Sequence, residues 1–223
     1  MRPKDSQQTP PTLETYTELQ GAYDQYNRAL FNNALPPCLI TLHRGVQRNY
    51  GHFCHKRFVR LSDGRTATDE IALNPRHFAN RSVAQVLSTL AHEMVHLWQA
   101  HNGKPSRSAY HNRQWAEKMV SIGLQPSDTG QPGGKPTGQH VTHYLIQGGL
   151  FESATTKLLK NGFTLSWADA EAPGATQSKK SGKRIKYTCP TCGISAWGKS
   201  DLNLICGDCE KPLTHEEPES EED

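Results

Sequence analysis

The stretch from Ser82 to Gln99, SVAQVLSTLAHEMVHLWQ, constrains the fold more than any other. Val83, Val86, Leu87, Leu90, Met94 and Leu97 recur at helical spacing and define one apolar side. Ser82 followed three residues later by Gln85 predicts a capping box at the start of this helix. Such a helix packs on a core, yet it carries His92, Glu93 and His96. An acid and two bases on an inner face are costly to desolvate without a shared task. Histidines at i and i+4 stand one turn apart on the same face, so both imidazoles can reach one ion. Glu93 projects beside that face, where a carboxylate can take a proton from water acidified by zinc.

The remaining pattern builds a mixed fold around this helix. Leu13, Tyr16, Leu19, Tyr23, Tyr26 and Leu30 predict an amphipathic helix over 13–33, stopped by the prolines of LPPC. Residues 38–44, 50–62 and 69–75 read as three strands separated by turn formers. A further helix is expected over 111–122, a loop over 125–139, and a short helix over 151–163 ended by Asn161-Gly162. The order of helix, strands and helix gives an α+β domain.

Cys189, Cys192, Cys206 and Cys209 form C-x2-C-x13-C-x2-C. Two such pairs close a tetrahedral four-thiolate zinc site with no open position, so that zinc is structural and the segment is a zinc ribbon. A unit this small needs the metal for its stability. Cys38 and Cys54 fall in strands and read as buried apolar thiols. His52 and His55 flank Cys54, a grouping that could also host a metal.

A catalytic zinc takes three protein ligands and keeps one open position. Beyond His92 and His96, the sequence offers His101, His111, His140 and His143. His101 has the wrong angular position on the helix. His111 opens the next helix after a turn that lets the chain double back, and His140 and His143 follow the long loop. No oxyanion stabiliser is marked by pattern; Tyr110 and Tyr144 are the tyrosines considered.

HEMVH, then fifteen residues from His96 to His111, then HNRQW opening a helix, resembles the SprT-like metalloprotease domain, the group that includes Spartan. Asn112 stands where the family has glycine and Trp115 is the family's aromatic position. The resemblance covers about residues 12–125. It implies a zincin-like domain of helices packed on a small sheet, with His92, His96 and His111 holding a catalytic zinc and Glu93 as general acid/base. It also implies an endopeptidase that degrades proteins trapped on DNA and is switched on by DNA. Many bacterial members end in a ribbon like the one read here.

Charge agrees with a polyanionic partner. Residues 1–187 carry 23 Lys and Arg against 13 Asp and Glu, whereas residues 188–223 carry 2 against 9. A basic body favours nucleic acid, because neutralising phosphates releases counterions. Arg44, Arg48, Lys56, Arg57 and Arg60 are interleaved with Tyr50, Phe53 and Phe58, the pattern of single-strand binders that stack bases and follow phosphates. Lys179, Lys180, Lys183 and Arg184 form a second basic cluster. The expected partners are a protein substrate and DNA, single-stranded or junction-containing; no pattern fixes an oligomeric state.

The expected organisation is a SprT-like domain over 12–168, a flexible basic linker over 169–186, a ribbon over 187–213 and an acidic disordered tail over 214–223. The polar start, MRPKDSQQTPP, and the lack of a long apolar run predict a cytoplasmic protein without a membrane span, compatible with association with the nucleoid. The alternative reading is a nucleic-acid-binding zinc protein without proteolysis, and hydrolysis of a non-peptide substrate is a third. Retention of Glu93 favours the peptidase, since a purely structural site has no use for that base.

Overall fold

The computed structural model describes residues 9–45, 49–107, 110–171, 185–199 and 202–215. The chain divides into two compact units, Met1–Ala175 and Thr176–Asp223. In the first, α1 (Pro11–Phe31) starts on a proline and ends at Asn32 in the left-handed region, φ 52. Proline suits the first turn because its missing N–H would have no helical partner there. One side of α1 buries Leu19, Ala22, Tyr26 and Leu30.

Three strands follow: β1 (Leu39–Leu42), β2 (Gly51–Val59) and β3 (Ala67–Leu73), in the order β1-β3-β2. β3 is central, parallel to β1 and antiparallel to β2. Its run from Asp69 to Leu73 is buried, while β2 lies at an edge of the sheet and its second half is exposed. β2 ends three residues earlier than its composition indicates. Asp63 accepts the backbone N–H groups of Arg65 and Thr66, and Gly64 sits at φ 62, so the chain turns instead of continuing as strand.

A 3-10 turn at Pro75–His77 leads to α2 (Val83–Asn102). Its capping box is formed: Ser82 Oγ accepts the Gln85 N–H at 3.2 Å and Gln85 Oε1 accepts the Ser82 N–H at 2.9 Å. Leu87, Leu90, Met94 and Leu97 have no exposure and join the sheet to α1 through Ile71, Leu73 and Tyr26. This cluster is the core of the domain.

α3 (Arg113–Ser121) starts on Asn112, whose side chain accepts the Trp115 N–H at 3.0 Å. Gly123, at φ 94, then turns the chain into β4 (Leu124–Ser127), paired antiparallel with β5 (Thr142–Leu145). β4 lies in the stretch expected to be loop. Its sequence, LQPS, has no strand-like alternation, and pairing with β5 some fifteen residues on is what holds it extended. α4 (Leu150–Lys160) packs back on α1, where Tyr26 and Thr155 share a hydrogen bond of 2.7 Å.

The following strap is tied to α1 and to the sheet end. Trp167 donates to Glu14, the Ser166 N–H to Glu18, and buried Asp169 pairs with Arg44 at 2.9 Å. Asp169 and Glu171 lie within the described residues of this unit, at the start of the expected linker; 172–184 lie outside the described residues.

The second unit holds the hairpin β6 (Ile185–Thr188) and β7 (Ser195–Gly198), with Thr214 bridged to Thr188. Residues 216–223, most of the expected acidic tail, lie outside the described residues. Among the described residues no helix is long and apolar enough to cross a membrane.

α2 approaches β2 closely at Gly51. A Cβ there would stand 2.8 Å from the Ala72 carbonyl oxygen and 3.0 Å from Thr89 Cγ2, with Glu93 Cγ at 3.4 Å. Gly51→Ala is expected to push strand and helix apart and to destabilise the domain by about 1–3 kcal/mol, read by urea unfolding.

Candidate metal centre

α2 presents His92 and His96 one turn apart, and the turn before α3 brings in His111. That turn is fixed by backbone pairing: His111 and Gly138 exchange both N–H···O bonds, at 2.8 and 3.0 Å, and His111 Nδ1 lies 3.2 Å from the Gly138 carbonyl. His111 Nε2 is therefore turned toward α2, 3.3 Å from His92 Nε2. One ligand atom from each of His92, His96 and His111 lies within 4.8 Å of the others. Two imidazole nitrogens on a tetrahedral zinc stand about 3.3 Å apart, so the trio fits that ion. Trp115, with no exposure, forms a floor under all three rings, its centroid 4.8, 5.2 and 4.3 Å from those of His92, His96 and His111.

Electrostatics agree with a metal-ligand role. Burial, helped by the neighbouring imidazoles, holds His92 well below the ordinary histidine value. Burial, with His111 adding, lowers His96 to about 3. Burial also lowers His111, against the pull of the Gly138 carbonyl. All three are neutral at pH 7, the form that ligates. Glu93, buried at 6% exposure, is pushed up to about 8 by burial alone.

His143, one of the histidines that follow the long loop, lies against this trio. Its Nδ1 is 3.2 Å from His92 Nδ1, and its Nε2 is 2.9 Å from Ser88 Oγ. The chain Ser88–His143–His92 fixes the ring of His92 with Nε2 directed at the other imidazoles. Burial, with Arg81 nearby, lowers His143 to about 4. Only the β4–β5 pairing brings residue 143 here, and no local spacing signals it. His101 points elsewhere, to Asp69 at 2.6 Å. Tyr110 is stacked by Arg107, with the guanidinium 5.0 Å from its ring.

The second unit brings Cys189, Cys192, Cys206 and Cys209 within 4.8 Å of one another as free thiols. Each pair sits in a tight knuckle. The residues after the second cysteine of each pair, Gly193 and Glu210, are left-handed at φ 75 and 50, and their N–H groups bond back to Cys189 and Cys206. Backbone amides of Cys192 and Thr191 aimed at its sulfur lower Cys189 to about 7. Four convergent sulfurs supplied with N–H donors suit a tetrahedral structural zinc.

The basic residues are scattered along the sheet. Lys56, Arg57 and Arg60 are exposed on β2 and just beyond it. Arg44 is engaged with Asp169, and Tyr50 packs under the Arg81 guanidinium at 4.1 Å. Phe53 turns inward, its ring parallel to His96 with centroids 6.5 Å apart. Arg48, Lys179, Lys180, Lys183 and Arg184 lie outside the described residues.

An α+β body with a paired-histidine helix, a returning third imidazole and a buried glutamate on the same helix makes a candidate metal centre. Residues 19–137 match the SprT-like family, and the chain belongs to that family. Over 61 residues it is 59% identical to a Salmonella typhimurium protein described as an uncharacterized protein in the mucB 3' region, a match spanning 27% of this chain and 80% of that protein. No solved structure matches the chain significantly.

The buried groups give the metal-free domain a defined pH response. His96 and His143 have folded values below the ordinary 6.5, so their contribution is full above it and is lost as pH falls toward about 3 and about 4 respectively. Glu93 is raised from 4.5 to about 8, so its contribution is full below 4.5 and is lost as pH rises through 8. In thermal melts with chelator, Glu93→Gln is expected to stabilise the domain at pH 8 relative to pH 5, by on the order of a few kcal/mol. His143→Ala is expected to weaken zinc binding to the trio by about 10–100-fold in competition with a chelating dye.

Proposed function

We propose that this chain is a zinc-dependent endopeptidase of the SprT-like type, acting on proteins bound or crosslinked to DNA. The observation that carries the peptidase reading is the buried carboxyl of Glu93, next in sequence to His92 on the helix that carries two of the three convergent imidazoles. His92, His96 and His111 would hold the ion, oriented by Ser88–His143 and by the Gly138 carbonyl. Zinc held there supplies Lewis acidity toward water and the scissile carbonyl, and its charge draws the Glu93 carboxyl toward its ionised form.

Glu93 takes the proton of the attacking water and passes it to the leaving amine as the C–N bond breaks. β2 is an edge strand running past Glu93 at Gly51, so its outer backbone groups can line up an extended peptide by strand addition. Trp115 excludes water from the far side of the trio. The four cysteines would hold a second, structural zinc in the ribbon.

The exposed cations Lys56, Arg57 and Arg60 on and just beyond that strand support recruitment to DNA, together with the basic balance of residues 1–187. The location consistent with this role is the cytoplasm, at the nucleoid.

The test is incubation with one protein substrate, free and DNA-bound, with and without a zinc chelator. Cleavage of the DNA-bound form that stops on chelation is expected. Cleavage indifferent to DNA would keep the peptidase and remove the DNA requirement. Glu93→Gln is expected to retain zinc and DNA binding and to lose about 10²–10⁴-fold in cleavage rate. Unchanged cleavage by that variant overturns the role of Glu93.

A further inference from the structure

We propose that His55, Asp69 and His101 form a second divalent-cation site in the first unit, distinct from the three-histidine centre, with a donor set suited to zinc. Asp69 is on central β3, its side chain 5% exposed. Asp69 Oδ1 lies 2.9 Å from His55 Nδ1, and Asp69 Oδ2 lies 2.6 Å from His101 Nε2. The three donor atoms are mutually within 4.8 Å. Ligand atoms on one tetrahedral or octahedral zinc stand about 3 Å apart, so small movements would admit the ion between them. Two imidazoles and a carboxylate are the borderline donors that zinc accepts.

The surroundings favour a cation here. A buried carboxylate needs a compensating charge. Among the described residues no lysine or arginine side chain pairs with Asp69; its side-chain partners are the two imidazoles. The neighbouring group on the opposite face, His52, Cys54 and Glu70, already has Arg57 at 4.0 Å from Glu70 and the Thr41 hydroxyl on its other oxygen. That group draws on a guanidinium, whereas Asp69 is balanced by imidazoles, which are themselves metal ligands. His55 and His101 keep 44% and 35% of their side-chain exposure, which leaves a path for an ion and room for water ligands.

The backbone aims these donors. The ladder between β2 and β3 shifts register between Cys54 and Phe58, and Lys56 takes a left-handed φ of 49. Strand alternation puts His55 on the α2 side of the sheet with Gly51 and Phe53, and the bulge directs the Lys56 N–H to Asp69 Oδ1 at 2.6 Å. His101 lies five residues beyond His96 on α2, about 7.5 Å along the axis, too far for a shared two-metal cluster. Occupancy would cross-link β2, β3 and the C-terminal turns of α2, fixing the edge strand against the helix that carries His96.

The test counts metal on the full chain. The double variant His55→Asn/His101→Gln keeps an amide N–H donor for each carboxylate oxygen but removes both imidazole ligands. After equilibrium dialysis against zinc chloride, the wild-type chain is expected to hold one more equivalent of zinc than this variant. Equal counts overturn the site. Should the double variant lose its helical circular-dichroism signal, His55→Asn alone, on the exposed bulge, carries the same comparison. The three-histidine centre is scored separately: His92→Ala/His96→Ala lowers the count on its own account, so either site can fail without the other.

Discussion

The burial of one helix against a three-stranded sheet, with ionisable groups on its inner face, is the constraint on which the rest depends. Leu87, Leu90, Met94 and Leu97 bind α2 to the core by removing apolar area from water. The same packing forces His92, Glu93 and His96 out of bulk water. Their charged forms are penalised, which shifts the imidazoles toward neutral and the carboxyl toward its protonated form. Fold stability and metal affinity are thereby coupled in one element.

Each neighbour of α2 answers that constraint in a particular way. Gly51 lets β2 lie close over Glu93, which keeps the carboxyl dry. The His111–Gly138 backbone pair presents a third imidazole without a helix to carry it. Ser88 and His143 occupy the far nitrogen of His92, and Trp115 closes the underside. α3, β4 and β5 serve the arrangement as supports for three side chains, His111, Trp115 and His143. This explains why so short a hairpin as β4–β5 belongs to the domain.

The ribbon solves a different problem. With Tyr187, Cys189 and Cys206 as the buried residues among those described, the second unit has too small an apolar core to fold on that alone. Four sulfurs held in two left-handed knuckles are placed to replace the missing core with one coordination centre. On the proposed reading, convergent ligands would serve chemistry in the first unit and fold closure in the second.

The sequence by itself determined what short-range geometry dictates. Ser82 and Gln85 mark the start of α2, the i, i+4 interval puts His92 and His96 on one face, and two C-x2-C pairs make two knuckles. In each case the relevant atoms are within one turn of chain, so spacing alone sets their separation. Tertiary structure decided which distant groups join them. His111 and His143 reach His92 across 19 and 51 residues, along a path set by a β4–β5 pairing that LQPS does not advertise. The meeting of His55, Asp69 and His101 depends on a bulge, a sheet register and a helix end together. Residue spacing carries no record of such contacts, because they are fixed by packing and by the entropy of closing long loops.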